Sequence, residues 1–93
     1  MLPAHRSNAP IADDVNARVR EVIVYVLDLR PADVSDGSTQ QTLPGWDSLA
    51  HVQLVISLEA KFDVRFGIDQ ALELTSVQAI SAALAERGVG TRA

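Results

Sequence analysis

Along the stretch IADDVNARVREVIVYVLDL, apolar residues return every three or four positions: Ile11, Val15, Val19, Val22, Ile23 and Val26. That spacing puts them on one side of an α-helix. The run VIVYVLDL within it is rich in β-branched residues and would suit a strand by propensity alone. Helix is preferred because the spacing extends back through Arg18, Arg20 and Glu21, and because no second segment offers a strand to pair with it. Asp13 and Asp14 stand in the first turn, where the helix dipole favours negative charge. Pro31, just after Arg30, is expected to end the element.

Two more periodic runs follow. In LPGWDSLAHVQLVISLEAKF, a helix starting at Asp47 or Ser48 is expected to bury Leu49, Val52, Val55, Ile56 and Phe62, with Leu54 and Leu58 widening the stripe. Near the end, Thr75-Ser76-Val77-Gln78 matches a capping box, with Thr75 as N-cap and Gln78 reaching back to it. Val77, Ile80 and Leu84 mark the core face of that helix, and Gly88 stops it. Between these two, Asp69 to Leu72 has room for a single turn. Residues 31–46, PADVSDGSTQQTLPGW, form a long polar connection of the kind that is usually functional or mobile, with Val34 and Leu43 as its apolar anchors.

The expected fold is therefore all-α: a small bundle of three main helices plus a short extra helix, with a long first loop. A chain of 93 residues has room for one core, placed here at residues 11–87 between flexible tails at 1–10 and 88–93.

Composition narrows the function. The net charge is −4 and the isoelectric point about 4.9, so phosphate backbones and anionic lipid would repel the molecule on average. The 8 basic residues are scattered and make no nucleic-acid stripe. No cysteine is present, which excludes disulfides and thiolate metal sites. No apolar run approaches the roughly 20 residues that span a bilayer, and MLPAHRSNAP has no signal-peptide core. A reduced, cytoplasmic setting and a monomer are the expectation.

Ser48 is the residue that calls for an explanation. Asp and Ser are both favoured helix caps, so Asp47 accepting from the Leu49 or Ala50 amide would account for the tripeptide without any chemistry. A nucleophilic serine needs an oriented base. His51 lies one turn away, with nothing evident to orient it and no strand-to-elbow context, and it reads as a solvated helix residue. Asp33 and Asp36 are too sparse for a calcium loop, and His51 alone holds no metal. What fits best is an anion at the helix start: unpaired amides and the dipole favour a phosphate on Ser48 beside the Leu49 and Ala50 amides.

The stretch LPGWDSLAHVQLVISLEAKFDVRF resembles the second helix of acyl carrier proteins, and Asp47-Ser48-Leu49 matches that family's phosphopantetheine attachment motif. The likeness extends to the amphipathic first helix, the long polar loop and LELTSVQAISAAL, over roughly residues 11–87. It implies that a phosphopantetheinyl transferase moves 4′-phosphopantetheine from coenzyme A onto Ser48, and that acyl- or aminoacyl-loading and transfer enzymes then use the arm's thiol. The chain itself would catalyse nothing; a tether raises the effective concentration of cargo at each partner. Asp47 would help position Ser48 and the transferase's metal ion. Contacts with partners are implied at Asp47, Leu49, Val52, Gln53 and Trp46. Leu49 has a core reading beside this one, and Trp46 has a structural reading as a staple folded over the helix start.

The chain departs from the family in charge. Between Asp47 and Lys61 the acids are Asp47 and Glu59 alone, and positions often acidic in fatty-acid carriers hold Ala50, His51 and Gln53. This suggests a specialised carrier whose partners read apolar and polar contacts more than charge. The alternative is an unmodified small helical interaction module in which Asp47-Ser48-Leu49 is only a cap.

Overall fold

Helix propensity alone does not explain the first element, whose core positions are mostly valine and isoleucine. Packing does. In the computed structural model, which describes residues 11–89 with side chains from Val15 onward, α1 runs Ile11–Leu27. It buries Val15, Val19, Val22 and Ile23, and Val26 packs partly against them. Burying an aliphatic side chain is worth about 1.5–3 kcal/mol, more than the few tenths that β-branching costs a helix. The side chains of Ile11, Asp13 and Asp14 and the tail at 1–10 lie outside the described residues, as do residues 90–93.

The helix ends before the proline. Asp28 turns left-handed with φ 56°, and the Leu29 amide reaches back to the Val24 carbonyl at 3.0 Å. This is a Schellman closure, with Asp where glycine is commoner. Pro31 instead opens a 3-10 turn, Pro31–Asp33. There the Arg30 amide and guanidinium donate to Asp33 and hold its carboxyl below the usual carboxylate range.

Among the described residues three further α-helices follow: α2 at Ser48–Phe62, α3 at Ile68–Leu72 and α4 at Val77–Glu86. Both α2 and α4 pack on α1. Leu54, Leu58, Val77, Ile80 and Leu84 are fully buried between them. The result is an all-α bundle of three main helices and one short one.

The buried stripe of α2 differs from the sequence expectation. Leu54, Leu58 and Phe62 face the core, whereas Leu49, Val52 and Ile56 are 68%, 54% and 59% exposed. Each set is spaced by three or four residues, and at 3.6 residues per turn the two lie on roughly opposite sides. Periodicity could not choose between two apolar faces of one helix. Docking on α1 chooses the Leu54 side.

The long connection after α1 is fastened at both ends. Val34 and Leu43 are buried as expected, and Arg20 pairs with Asp36. Its middle is stitched to the start of α4: the Val77 amide donates to the Ser38 carbonyl at 3.1 Å, and the Gln40 amide donates to the Thr75 carbonyl at 2.8 Å. This pairing, an isolated bridge between Thr39 and Ser76, moves the cap of α4 one residue on. Ser76, not Thr75, is the N-cap, and its side chain accepts from the Ala79 amide. Gly88, with φ 84°, closes α4, the Val89 amide reaching the Leu84 carbonyl at 3.0 Å.

Candidate functional site

The junction of the long loop with α2 is built in three layers. Asp47 is the N-cap: its carboxylate accepts from the Ala50 amide at 2.8 Å, and its carbonyl accepts from the His51 amide at 2.8 Å. The capping reading of Asp47 therefore holds, and it sets Ser48 free. Ser48 is the first residue of α2, exposed, and its hydroxyl makes no hydrogen bond among the described residues. Of the amides expected to face an anion there, Ala50 is taken by Asp47. The Leu49 amide, and with it that of Ser48, has no partner among the described residues.

Beneath the serine lies a second layer, in which the staple expected of Trp46 finds a partner that the sequence did not disclose. Trp46 is 5% exposed, so its ring belongs to the core, as the staple reading expects, and not to the outward face of Leu49, Val52 and Gln53 where a partner contact was the other expectation. Its indole N–H donates to His51 Nδ1 at 3.0 Å, and the two rings stack with centroids 6.1 Å apart. Trp46 precedes the cap and His51 is four residues past it, so the pair occupies the two positions of a helix-start staple. With Nδ1 accepting, the ring's proton sits on Nε2, which donates to the Ala71 carbonyl at 2.8 Å. His51 is thus half-buried and bonded at both nitrogens, not a solvated residue. It also has no nitrogen left to serve as a base for Ser48. Spacing placed His51 near the serine; only tertiary contacts could show where its ring turns.

The third layer is the outward face of α2. Leu49, Val52, Gln53 and Ile56 are exposed along it, and Asp47, also exposed, stands at its head. Of the two acids on this helix, Asp47 is spent on the cap, and Glu59 accepts from the Phe66 amide at 2.9 Å, where it fixes the turn after α2. Ala50 and His51 are half-buried and so are not surface positions open to acids.

A helical bundle that caps its second helix with an aspartate and leaves the adjoining serine exposed presents a hydroxyl that no side chain hydrogen-bonds among the described residues. Residues 17–84 match the family model described as "Phosphopantetheine attachment site". The chain is 41% identical over 59 residues to an acyl carrier protein of Sulfurovum sp. (strain NBC37-1), covering 63% of this chain and 79% of that one. It is also 30% identical over 67 residues to the non-reducing polyketide synthase pkdA of Emericella nidulans, covering 72% of this chain but spanning only 3% of that enzyme's length. The chain belongs to the acyl carrier protein family, a family of carriers whose covalently attached prosthetic group is 4′-phosphopantetheine. Among the described residues no helix is long and apolar enough to cross a membrane.

Proposed function

We propose that Ser48 is the attachment point of 4′-phosphopantetheine and that the chain carries acyl or aminoacyl groups for partner enzymes without catalysing a step itself. The observation that supports this most is the division of labour at the start of α2: Asp47 does the capping, so the exposed Ser48 hydroxyl has no structural duty. The unpartnered Ser48 and Leu49 amides and the helix dipole suit a phosphodiester at that place. The arm, when bound, supplies the thiol that this cysteine-free chain lacks. Leu49, Val52 and Gln53 line the face that partners would touch, with Asp47 at its head.

The likeness to both a free-standing acyl carrier protein and a stretch of a polyketide synthase favours a specialised fatty-acid, lipid or polyketide-type pathway, served by a monomer in the cytoplasm. The test is to incubate the protein with coenzyme A and a broad-specificity phosphopantetheinyl transferase and to weigh it intact. The expected result is a gain of one phosphopantetheine, abolished in Ser48→Ala. No gain with a transferase that loads another carrier would favour the alternative, an unmodified interaction module.

The charge pattern sharpens the reading. With acids sparse along α2 and an apolar stripe facing outward, recognition rests on contact more than on steering, which falls with salt. Loading rates by the protein's own partner are expected to vary little between low and moderate ionic strength. A steep decline would argue for charge-led docking.

A further inference from the structure

The short helix α3 poses a problem of anchorage. It has five residues, buries none of them, and leaves Ile68 80% and Leu72 68% exposed. A helix of that length has no stability of its own in water. Its flanks are held: Leu74 is buried after it, and before it the Arg87 guanidinium lies 4.7 Å from the Phe66 ring centre while its Nε donates to the Arg65 carbonyl. Toward α2, one hydrogen bond among the described residues joins the two helices, from His51 Nε2 to the Ala71 carbonyl. His51 sits one turn beyond Ser48, and the exposed Leu72 follows Ala71 directly in the chain.

The bond is not independent of Trp46. The indole N–H donating to Nδ1 selects the tautomer with the proton on Nε2. Without that donor the proton could sit on Nδ1, and Nε2 would present a lone pair to the Ala71 carbonyl, two acceptors face to face. A buried tryptophan thereby determines whether α3 keeps its hydrogen bond to α2, while the Gln70 side-chain amide still reaches Glu86 of α4 at 3.4 Å.

We propose that His51 is a positioning residue: the relay from Trp46 through His51 to Ala71 sets where α3 stands relative to Ser48, so that Leu72 joins Leu49 and Val52 in one apolar surface for the enzymes that act on the serine. The recognition half rests on the reading of Ser48 as the attachment point; the relay itself does not. The partner that fits is a protein with an exposed apolar patch beside its active-site mouth, because the residues exposed along α2 after Ser48 are mostly apolar, with Leu49 at 68% and Val52 at 54% exposure.

The experiment uses the 93-residue chain with His51→Phe, which keeps a ring to stack and loses both bonds, and with Trp46→Phe, which keeps the ring and loses the donor. Amide exchange of Ala71, Glu73 and Leu74 is expected to speed about three- to tenfold in His51→Phe, and less in Trp46→Phe, while α1 and α4 amides keep their rates. Nitrogen NMR of the wild-type imidazole is expected to show the proton on Nε2. With a phosphopantetheinyl transferase, KM for the His51→Phe carrier is expected to rise several-fold at unchanged kcat, with loading still going to completion. Unchanged exchange around α3, equal acceleration across all helices, an Nδ1-protonated ring, or an unmoved KM despite a loosened α3 would each overturn the proposal. If the wild type takes up no phosphopantetheine, the reading of Ser48 fails and the recognition half with it; exchange and NMR decide the relay.

Discussion

The chain starts a helix twice with an exposed-or-capping choice for a serine, and resolves it in opposite ways. At α4, Ser76 is itself the cap, its side chain accepts from the Ala79 amide, and the next residue, Val77, is fully buried. At α2 an aspartate takes the capping role one residue earlier, the side chain of the serine that follows makes no hydrogen bond among the described residues, and the next residue, Leu49, is 68% exposed. Residue type and helix position are nearly the same in the two places. What separates a structural serine from an available one is whether a neighbour already meets the needs of the helix terminus.

The sharpest way to break this comparison is at the residue after each serine. Val77→Ala is expected to lower unfolding free energy by about 2 kcal/mol through lost burial, and Leu49→Ala to change it by less than about 0.5 kcal/mol. Denaturant titration of both variants checks this. Equal losses would mean that Leu49 belongs to the core after all. A finer test lies in the caps. Asp47→Ala and Ser76→Ala are each expected to cost about 1 kcal/mol, while Ser48→Ala leaves the melting curve in place. A Ser48→Ala loss as large as that of Ser76→Ala would place Ser48 in the capping structure and erase the distinction.

How much of this could be read in advance depended on whether a pattern had competition. The apolar face of α1 and the Val77, Ile80, Leu84 face of α4 were legible because each is the main apolar stripe of its helix, and the bundle followed from them. In α2 apolar residues occur on two sides, so Leu49, Val52 and Ile56 looked as buried as Leu54 and Leu58. Nothing local distinguishes a face packed on α1 from one left open. The cap of α4 was misplaced by one residue because Thr75 answers to a backbone partner in a distant loop, which no capping pattern encodes. His51 was illegible for the same reason, its two bonds reaching to Trp46 and to Ala71. The site's centre fared better. Asp47-Ser48-Leu49 pointed to an open hydroxyl, although the Ala50 amide, expected to greet an anion, turned out to be occupied by Asp47.

The stitch between Ser38 to Gln40 and Thr75 to Val77 also bears on how the molecule assembles over time. The strand-like contact joins segments separated by all of α2 and α3, so the ordering entropy of that whole stretch must be met before its two backbone bonds give anything back. Pairing of α1 with α2 closes stretches of similar length, Arg18 meeting Phe62 and Glu21 meeting Lys61. The kinetic consequence is a connection whose middle is tied down only when the last helix arrives, because its backbone partners belong to the start of that helix.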